Sequence, residues 1–547
     1  MNTLLQDLVT RQAERRPDAP AVVMGDKWFT YGGLDALSNR IAHALRAAGC
    51  QRGDRVGLLL SKSPMTVASL LGVLKADACY VPLDTASPAP RLAKIVASAD
   101  PRMILVGARA AATLPALLDD PQVRDSVGIA WLEAERPATA LSPAAFTLAD
   151  VRNMPAARPQ CANGARDCAH ILFTSGSTGM PKGVMITHAN VLSFVEWANA
   201  YFGISRDDRT SGHSPFHFDL STFDLFGTFA AGAQLHLVPP ELNVVPHQLA
   251  NFVRESRLTQ WFSVPSVLAL MAQLDVVRAG DFPTLRRLLW CGEVFPTPAL
   301  RYWMSRLPHV RFTNLYGPTE ATIASSYYTM PRCPATDTEP VPIGSPCGGE
   351  ELLVLDEACG PVPAGEIGDL YIRGAGLSPG YWRDPEKTAA AFRPNPAVPA
   401  QQNDRIYRTG DLARKGDDGL IYFVGRADSQ IKTRGYRIEL GEIESALQTL
   451  PELEECAVVA VPSDGFEGVT ICCAYVARAG ANVTSLSLRK QLGALLPPYM
   501  LPSQWKAYSR LARNANGKID RRRLKDEWSG GRNEAPAVAQ PNEQREI

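Results

Sequence analysis

The chain has no net charge, no long apolar run and no paired-cysteine pattern, and each absence removes a class of function. Its 56 Lys and Arg cancel its 56 Asp and Glu, so no overall field draws it to nucleic acid or to an anionic membrane. No stretch approaches the roughly eighteen apolar residues that span a bilayer. The N-terminal segment "MNTLLQDLVTRQAERRPDAP" has the spacing of an amphipathic helix closed by proline, and Gln6 and Asp7 interrupt what a signal peptide would keep apolar. The expectation is a cytosolic protein that recognises its partners locally. The 11 cysteines form no C-x-x-C pair and have no histidine partners, so neither a disulfide framework nor a zinc site is indicated. Cys472 and Cys473, in "VTICCAYVA", read as small hydrophobes of a buried strand.

What is present is too long for one core: 547 residues suggest about two to four domains. Strand-like runs alternate with helical ones, as in "RVGLLL" then "PMTVASLLGVLKA" and "RRLLWCG" then "TPALRYWMSRL". That alternation predicts α/β layers with largely parallel sheets. From about 341 short strands with Gly and Pro turns predict a β-rich subdomain, and "GRADSQIKTRGYRIELGEIESAL" opens a small α+β domain whose helix begins near Glu442. The expected division is a large N-terminal domain over 1–427, a small C-terminal domain over 428–527 and a disordered tail over 528–547, which is rich in Pro, Gly, Asn and Gln.

The strongest chemical signal is "ILFTSGSTGMPKG" at 171–183. An apolar strand runs into Thr174, Ser175, Gly176, Ser177, Thr178 and Gly179, followed by Lys182. Glycines let a backbone approach an anion, while amides, hydroxyls and an ammonium supply donors and charge. This is a phosphate-binding loop by composition, although the Walker A pattern does not fit it.

The segment resembles the nucleotide loop of the adenylate-forming superfamily, which includes acyl-CoA ligases, luciferases and the adenylation domains of nonribosomal peptide synthetases. Further blocks agree in order: "NLYGPTEATI" at 314–323, "GDLYIRGAGLSPGYW" at 368–382, "YRTGDLAR" at 407–414, "GRADSQIKTRGYRIELGEIE" at 425–444, "LPPYMLP" at 496–502 and "NGKIDRRRL" at 516–524. The last four have the wording of the peptide-synthetase branch.

The resemblance implies an ATP and Mg²⁺ site with roles for particular residues. Glu320 corresponds to the metal-holding carboxylate, a hard donor suited to Mg²⁺. Asp411 corresponds to the ribose ligand, Asn314 to the adenine-contacting amide, Phe423 to the aromatic near the base and Arg426 to a ribose or phosphate contact. Tyr316, Gly317 and Thr319 of "NLYGPTE" belong to the same site, and Lys182 joins Glu320 in the catalytic set. Lys518 resembles the catalytic lysine of the mobile C-terminal domain, facing the substrate carboxylate and the α-phosphate. Two half-reactions are implied, adenylate formation and thiol capture, with the small domain rotating about Asp428 to replace the Lys518 face by the "KTRGYR" face. Gly435 would then lie beside the pantetheine arm.

Asp219, in "PFHFDLSTFDLFGTFAAGA" at 215–233, has two readings. From its own neighbours it is a helix N-cap, with Ser221 and Thr222 in the first turn. From the resemblance, "FDLS" carries the aspartate that pairs with the α-ammonium of an amino acid. The implied pocket continues through Leu220, Phe223, Phe262, Leu289, Cys291, Leu315, Ile323 and Ala324. That lining is apolar, so charged and hydroxylated side chains are poor candidates. It resembles stand-alone proline-activating ligases, departing from them at Phe262, Cys291 and Ala324. L-proline is the expected substrate, with alanine, a small branched residue or a cyclic or non-proteinogenic analogue as alternatives. No L-G-G-x-S carrier element occurs, so the expected thiol is the phosphopantetheine of a separate carrier protein; the resemblance also leaves room for a small activator protein. An acyl- or aryl-CoA ligase using free coenzyme A is the second reading, and a non-catalytic amino-acid sensor the third.

Overall fold

The computed structural model describes residues 3–132, 144–176, 179–398, 404–463, 468–481, 483–514 and 518–530. Within them, the predicted alternation builds two large sheets. An eight-stranded sheet has at its centre Cys168–Thr174, Cys79–Pro82, Arg55–Leu59 and Met103–Val106, all parallel. A nine-stranded sheet carries Arg311–Tyr316, Arg287–Trp290, Gln260–Ser263 and Arg209–Gly212 side by side, also parallel. Such strands are buried on both faces, which is why they read as unbroken apolar runs rather than alternating ones.

Local signals set the helix limits. The helix Pro64–Lys75 starts at Ser63, whose hydroxyl accepts from the Thr66 amide, with proline in the first turn. The helix Leu220–Ala231 stops at Gly232, whose φ of 70° is the left-handed conformation glycine tolerates. The loops that follow Arg209–Gly212, Arg287–Trp290 and Arg311–Tyr316 of the second sheet and the phosphate-loop strand of the first line one cleft. Loops leaving the carboxyl ends of parallel strands therefore converge, the usual place for a ligand in open α/β sheets.

The β-rich part expected from about 341 is a five-stranded antiparallel sheet that includes Glu350–Leu355, Ile367–Gly374, Arg405–Lys415 and Ile421–Arg426. Beyond it the hairpin Gln430–Thr433 with Tyr436–Glu439 leads into a small domain, where Leu453–Pro462, Val469–Ala477 and Gln504–Ala507 form a sheet. Cys472 and Cys473 are fully buried there, as small hydrophobes should be. Two limits differ from expectation. The helix near Glu442 is Leu440–Leu447, starting two residues earlier. The last helix, Arg521–Gly530, continues through 528–530, which had been assigned to the tail, because Leu524 and Trp528 pack on the small sheet. Residues 531–547 of that predicted tail lie outside the described residues.

One buried carboxylate registers the second sheet. Asp208, just ahead of Arg209–Gly212, is 0% exposed and receives Arg287 at 2.5 Å, Arg286 at 2.6 Å and the Thr259 hydroxyl. It thereby joins the strand that feeds residues 213–219 to the starts of the adjacent strand Gln260–Ser263 and of Arg287–Trp290 one place further on. Removing one partner of a buried ion pair strands the other charge. Asp208→Ala is expected to destabilise the protein by about 3–5 kcal/mol, read as a fall in the denaturant midpoint, whereas Arg286→Ala, removing the more exposed partner, should cost far less.

Candidate functional site

The converging loops enclose a cleft of about 100 Å³. Thr174 and Ser175 enter from the phosphate loop, Asp219 and Leu220 from the helix start, Cys291 from the end of Arg287–Trp290, and Gly317 and Thr319 from the loop after Arg311–Tyr316. Asp411 and Arg426 come from the antiparallel sheet. The expected site residues Ser177 and Thr178 lie outside the described residues.

Asp219 occupies the N-cap position, but its φ of −64° and ψ of −27° are already helical and its side chain makes no cap hydrogen bond. Nor does Ser221 cap: its hydroxyl donates to the Phe218 carbonyl at 2.6 Å. The Asp219 carboxyl instead faces the cleft, 9% exposed. Burial raises its pKa to about 6, helped by Glu320 and opposed by the Thr319 hydroxyl and Lys432. The eight apolar residues predicted beside it, Leu220, Phe223, Phe262, Leu289, Cys291, Leu315, Ile323 and Ala324, all belong to one buried cluster. Of the eight only Leu220 and Cys291 line the cleft; the other six are buried in the surrounding core, Phe223 and Phe262 edge to face at 6.0 Å.

Asp411 accepts from Arg426 at 2.8 Å and from the Tyr316 hydroxyl. A carboxylate so held is a fixed double acceptor at the cleft wall. The expected adenine contacts are placed differently. Asn314 spends its amide on the Pro342 carbonyl at 2.9 Å, and Phe423 packs in a cluster with Tyr316 and Ile343; neither lines the cleft. The hydroxyl of Thr174 is buried without a hydrogen-bond partner among the described residues, although Thr174 lines the cleft. A polar ligand beside the phosphate loop would satisfy it.

Glu320 is 0% exposed. Burial works to raise its pKa, yet Arg437 and Lys182 outweigh it and hold the carboxyl at about 2. Arg437 reaches one oxygen at 2.7 Å and the Tyr381 hydroxyl donates to the other at 2.8 Å. Lys182, whose ammonium burial and Arg437 push down, sits over the Tyr381 ring.

Arg437 belongs to the small domain, as do Gln430, Lys432, Gly435 and Tyr436, which also line the cleft. The "KTRGYR" face is therefore the one turned inward. Lys518 is exposed and is not among the residues that line the cleft. Asp428 lies half-exposed between Ile421–Arg426 and the hairpin, paired with Arg426 at 2.5 Å. Gly435, at φ 79°, donates its amide to the Glu293 carboxylate, and a Cβ there would stand 3.0 Å from Val264. It lines both the cleft and a second cavity of about 700 Å³, which shares His217, Phe218, Tyr436 and Tyr499 with it. Individual roles for Arg437, Lys432, Tyr436, Tyr499 and Glu293 escaped the sequence reading. The only signal was that four of them fall inside or beside quoted family blocks.

The AMP-binding enzyme family matches residues 9–382, and its C-terminal domain matches residues 442–518. The chain belongs to this family. AMP-binding enzymes use ATP with Mg²⁺, and the fold is the adenylate-forming one, a large N-terminal domain followed by a small C-terminal one. Tyrocidine synthase 3 of Brevibacillus parabrevis is 36% identical over 521 residues, covering 95% of this AMP-binding enzyme and 8% of that protein. The AMB antimetabolite synthetase AmbB of Pseudomonas aeruginosa is 36% identical over 543 residues, covering 99% and 40%. The chain thus spans well under half the length of these relatives. Among solved structures, NpsA-ThdA, an artificially fused adenylation-PCP di-domain from Klebsiella oxytoca, superposes with a TM-score of 0.76 at 24% identity, covering 92% of this chain and 94% of that one. Among the described residues no helix is long and apolar enough to cross a membrane.

A buried carboxyl held near pKa 6 costs stability when charged. Its folded pKa lies above the unfolded 3.8, so the native state binds the proton more tightly and stability declines as pH rises from about 4 to about 6. Asp219→Asn should therefore melt higher than the parent at pH 7.5, by up to about 3 kcal/mol, and show no advantage at pH 4. Differential scanning fluorimetry of the ligand-free proteins at both pH values checks this.

Proposed function

We propose that the protein activates a small apolar amino acid, L-proline first among the candidates, as its aminoacyl-AMP and passes it to the phosphopantetheine thiol of a carrier protein. One observation carries the reading: Asp219, a buried carboxylate with no ion pair among the described residues, faces the cleft beside Leu220 and Cys291. An uncompensated carboxylate in such surroundings is costly, and an α-ammonium would offset the cost. The relatives named above, synthases and an adenylation-PCP fusion, support an amino acid and a carrier as the two partners.

In the first half-reaction an oxygen of the amino acid carboxylate attacks the α-phosphorus of ATP. The bond from that phosphorus to the β-phosphate oxygen breaks, and pyrophosphate leaves with the electron pair. Asp219 fixes the ammonium, Asp411 the ribose hydroxyls and residues 174–179 the phosphates, while Lys182 and a rotated-in Lys518 meet the charge that moves toward the leaving group. The hydroxyl of Thr174 has no partner among the described residues and fits that task. Mg²⁺, held at Glu320 with the phosphates, would neutralise phosphate charge. In the second half-reaction the carrier's thiolate attacks the acyl carbon and AMP departs. The 700 Å³ cavity, narrowing at Gly435, leads a flexible arm to that carbon. We place the hinge at Asp428 and the boundary between the two domains at 427/428.

The apolar wall supports a small uncharged side chain. The cleft is small, about 100 Å³, and Leu220 and Cys291 line it, which disfavours long residues. ATP–pyrophosphate exchange across an amino acid panel should show its highest rate with L-proline or a similarly small apolar residue. Asp219→Asn should lower that rate on the order of a hundredfold with the variant still folded and still binding ATP; an unchanged rate would refute the ammonium role. A carrier supplied in trans should be loaded in preference to free coenzyme A, and the reverse preference would favour a CoA ligase.

A further inference from the structure

The join between the cleft and the larger cavity carries a nitrogen to which no role has been given. His217 lines both spaces, and its Nε2 is buried without a hydrogen-bond partner among the described residues. Two local restraints fix it there. The Phe218 amide donates to the Pro215 carbonyl at 3.0 Å, so His217 sits inside a closed turn just ahead of Asp219. Its ring leans on Phe218 with centroids 5.0 Å apart, Phe218 meets Tyr436 edge to face at 4.9 Å, and Tyr436 stacks on Tyr499 at 3.5 Å. Tyr436 and Tyr499 belong to the small domain, so the surroundings of His217 are complete only with this face of that domain turned inward.

The charges around the ring favour its neutral form. Burial lowers its pKa from 6.5, Asp84 opposes burial, and Arg91 and Lys62 add to it. Tyr436 and Tyr499, on the same wall, are kept protonated by burial. A neutral imidazole with its proton on Nδ1 offers Nε2 as an acceptor. The larger cavity also presents the hydroxyls of Ser61 and Ser263, both buried without partners among the described residues, a lining suited to a polar arm rather than an alkyl chain.

We infer that His217 is a catalytic residue of the second half-reaction, taking the proton of the incoming thiol at Nε2. The inference rests on the proposed adenylation. With Asp219 holding the ammonium, the acyl carbon is the next but one atom of the amino acid, and His217 shares a wall of the cleft with Asp219. As the bond from sulfur to the acyl carbon forms, the S–H bond breaks and its proton passes to Nε2. The bond from the acyl carbon to the phosphate oxygen breaks, and AMP leaves with that electron pair. The imidazolium then releases its proton into the larger cavity, whose wall includes Asp84. A thiol is a weak nucleophile until it is a thiolate, and an acceptor met only at the end of the passage ionises it beside the adenylate and not before.

The two half-reactions, measured side by side on the full-length protein, test this. With the amino acid that supports the fastest ATP–pyrophosphate exchange, transfer to pantetheine should fall in His217→Gln about a hundredfold more than exchange does. With thiophenol, already a thiolate at pH 8, the deficit should shrink to about threefold or less, because no proton remains to be taken. Damage to packing would lower transfer to both thiols alike. In His217→Ala, added imidazole should restore transfer to pantetheine and leave transfer to thiophenol as it was. An equal fall with both thiols, an unchanged ratio of transfer to exchange, or no response of His217→Ala to imidazole would overturn the inference, with exchange still supporting the adenylation reading. Absence of exchange in the parent with every amino acid would overturn the adenylation reading itself.

Discussion

A negative charge removed from water must be matched by positive charge from elsewhere in the chain, and Glu320 imposes that demand on the whole molecule. Its carboxylate is 0% exposed, and its matching groups come from regions remote in sequence: Lys182 from the strand after the phosphate loop, Tyr381 from the edge of the first sheet and Arg437 from the small domain. Solvation by protein groups substitutes here for solvation by water. The large and small domains are joined at this point by an ionic bond that neither could satisfy alone. Arg91 with Glu442 repeats the arrangement a short way off.

Asp219 stands in the opposite condition. Among the described residues no cation forms an ion pair with it, and Lys432 lowers its pKa less than burial raises it. The chain therefore carries this carboxylate at a stability cost. The same helix start that a capping residue would have stabilised is left without a side-chain cap. Local stability is given up in a position where a free carboxylate has chemical use.

Much of the fold was legible because its signals are local. Apolar runs such as Arg55–Leu59 and Arg287–Trp290 need only their own composition to be read as buried strands, and Ser63 and Gly232 mark helix limits within a few residues. Of the eight apolar residues expected to wall the pocket, Leu220 and Cys291 line the cleft and the other six lie in the large core. What stayed hidden depends on partners far along the chain. Ser175 and Arg437 are 262 residues apart, and an arginine destined for a buried carboxylate looks in sequence like one bound for solvent. The partner of Asn314 stayed hidden for a related reason, since nothing nearby announced that its amide would donate to the Pro342 carbonyl. The last helix outran its expected end because Trp528, isolated in a polar stretch, finds its apolar contacts only across the small sheet.

Gly435 marks the join between the two cavities, and there the wall is main chain, pinned by the Glu293 carboxylate and backed by Val264. Most constrictions in proteins are built from side chains and widen or narrow whenever a rotamer changes. Main chain has no rotamers, so on the Gly435 side the opening varies only with the position of the hairpin as a whole, while His217, Phe218, Tyr436 and Tyr499 line both cavities around it.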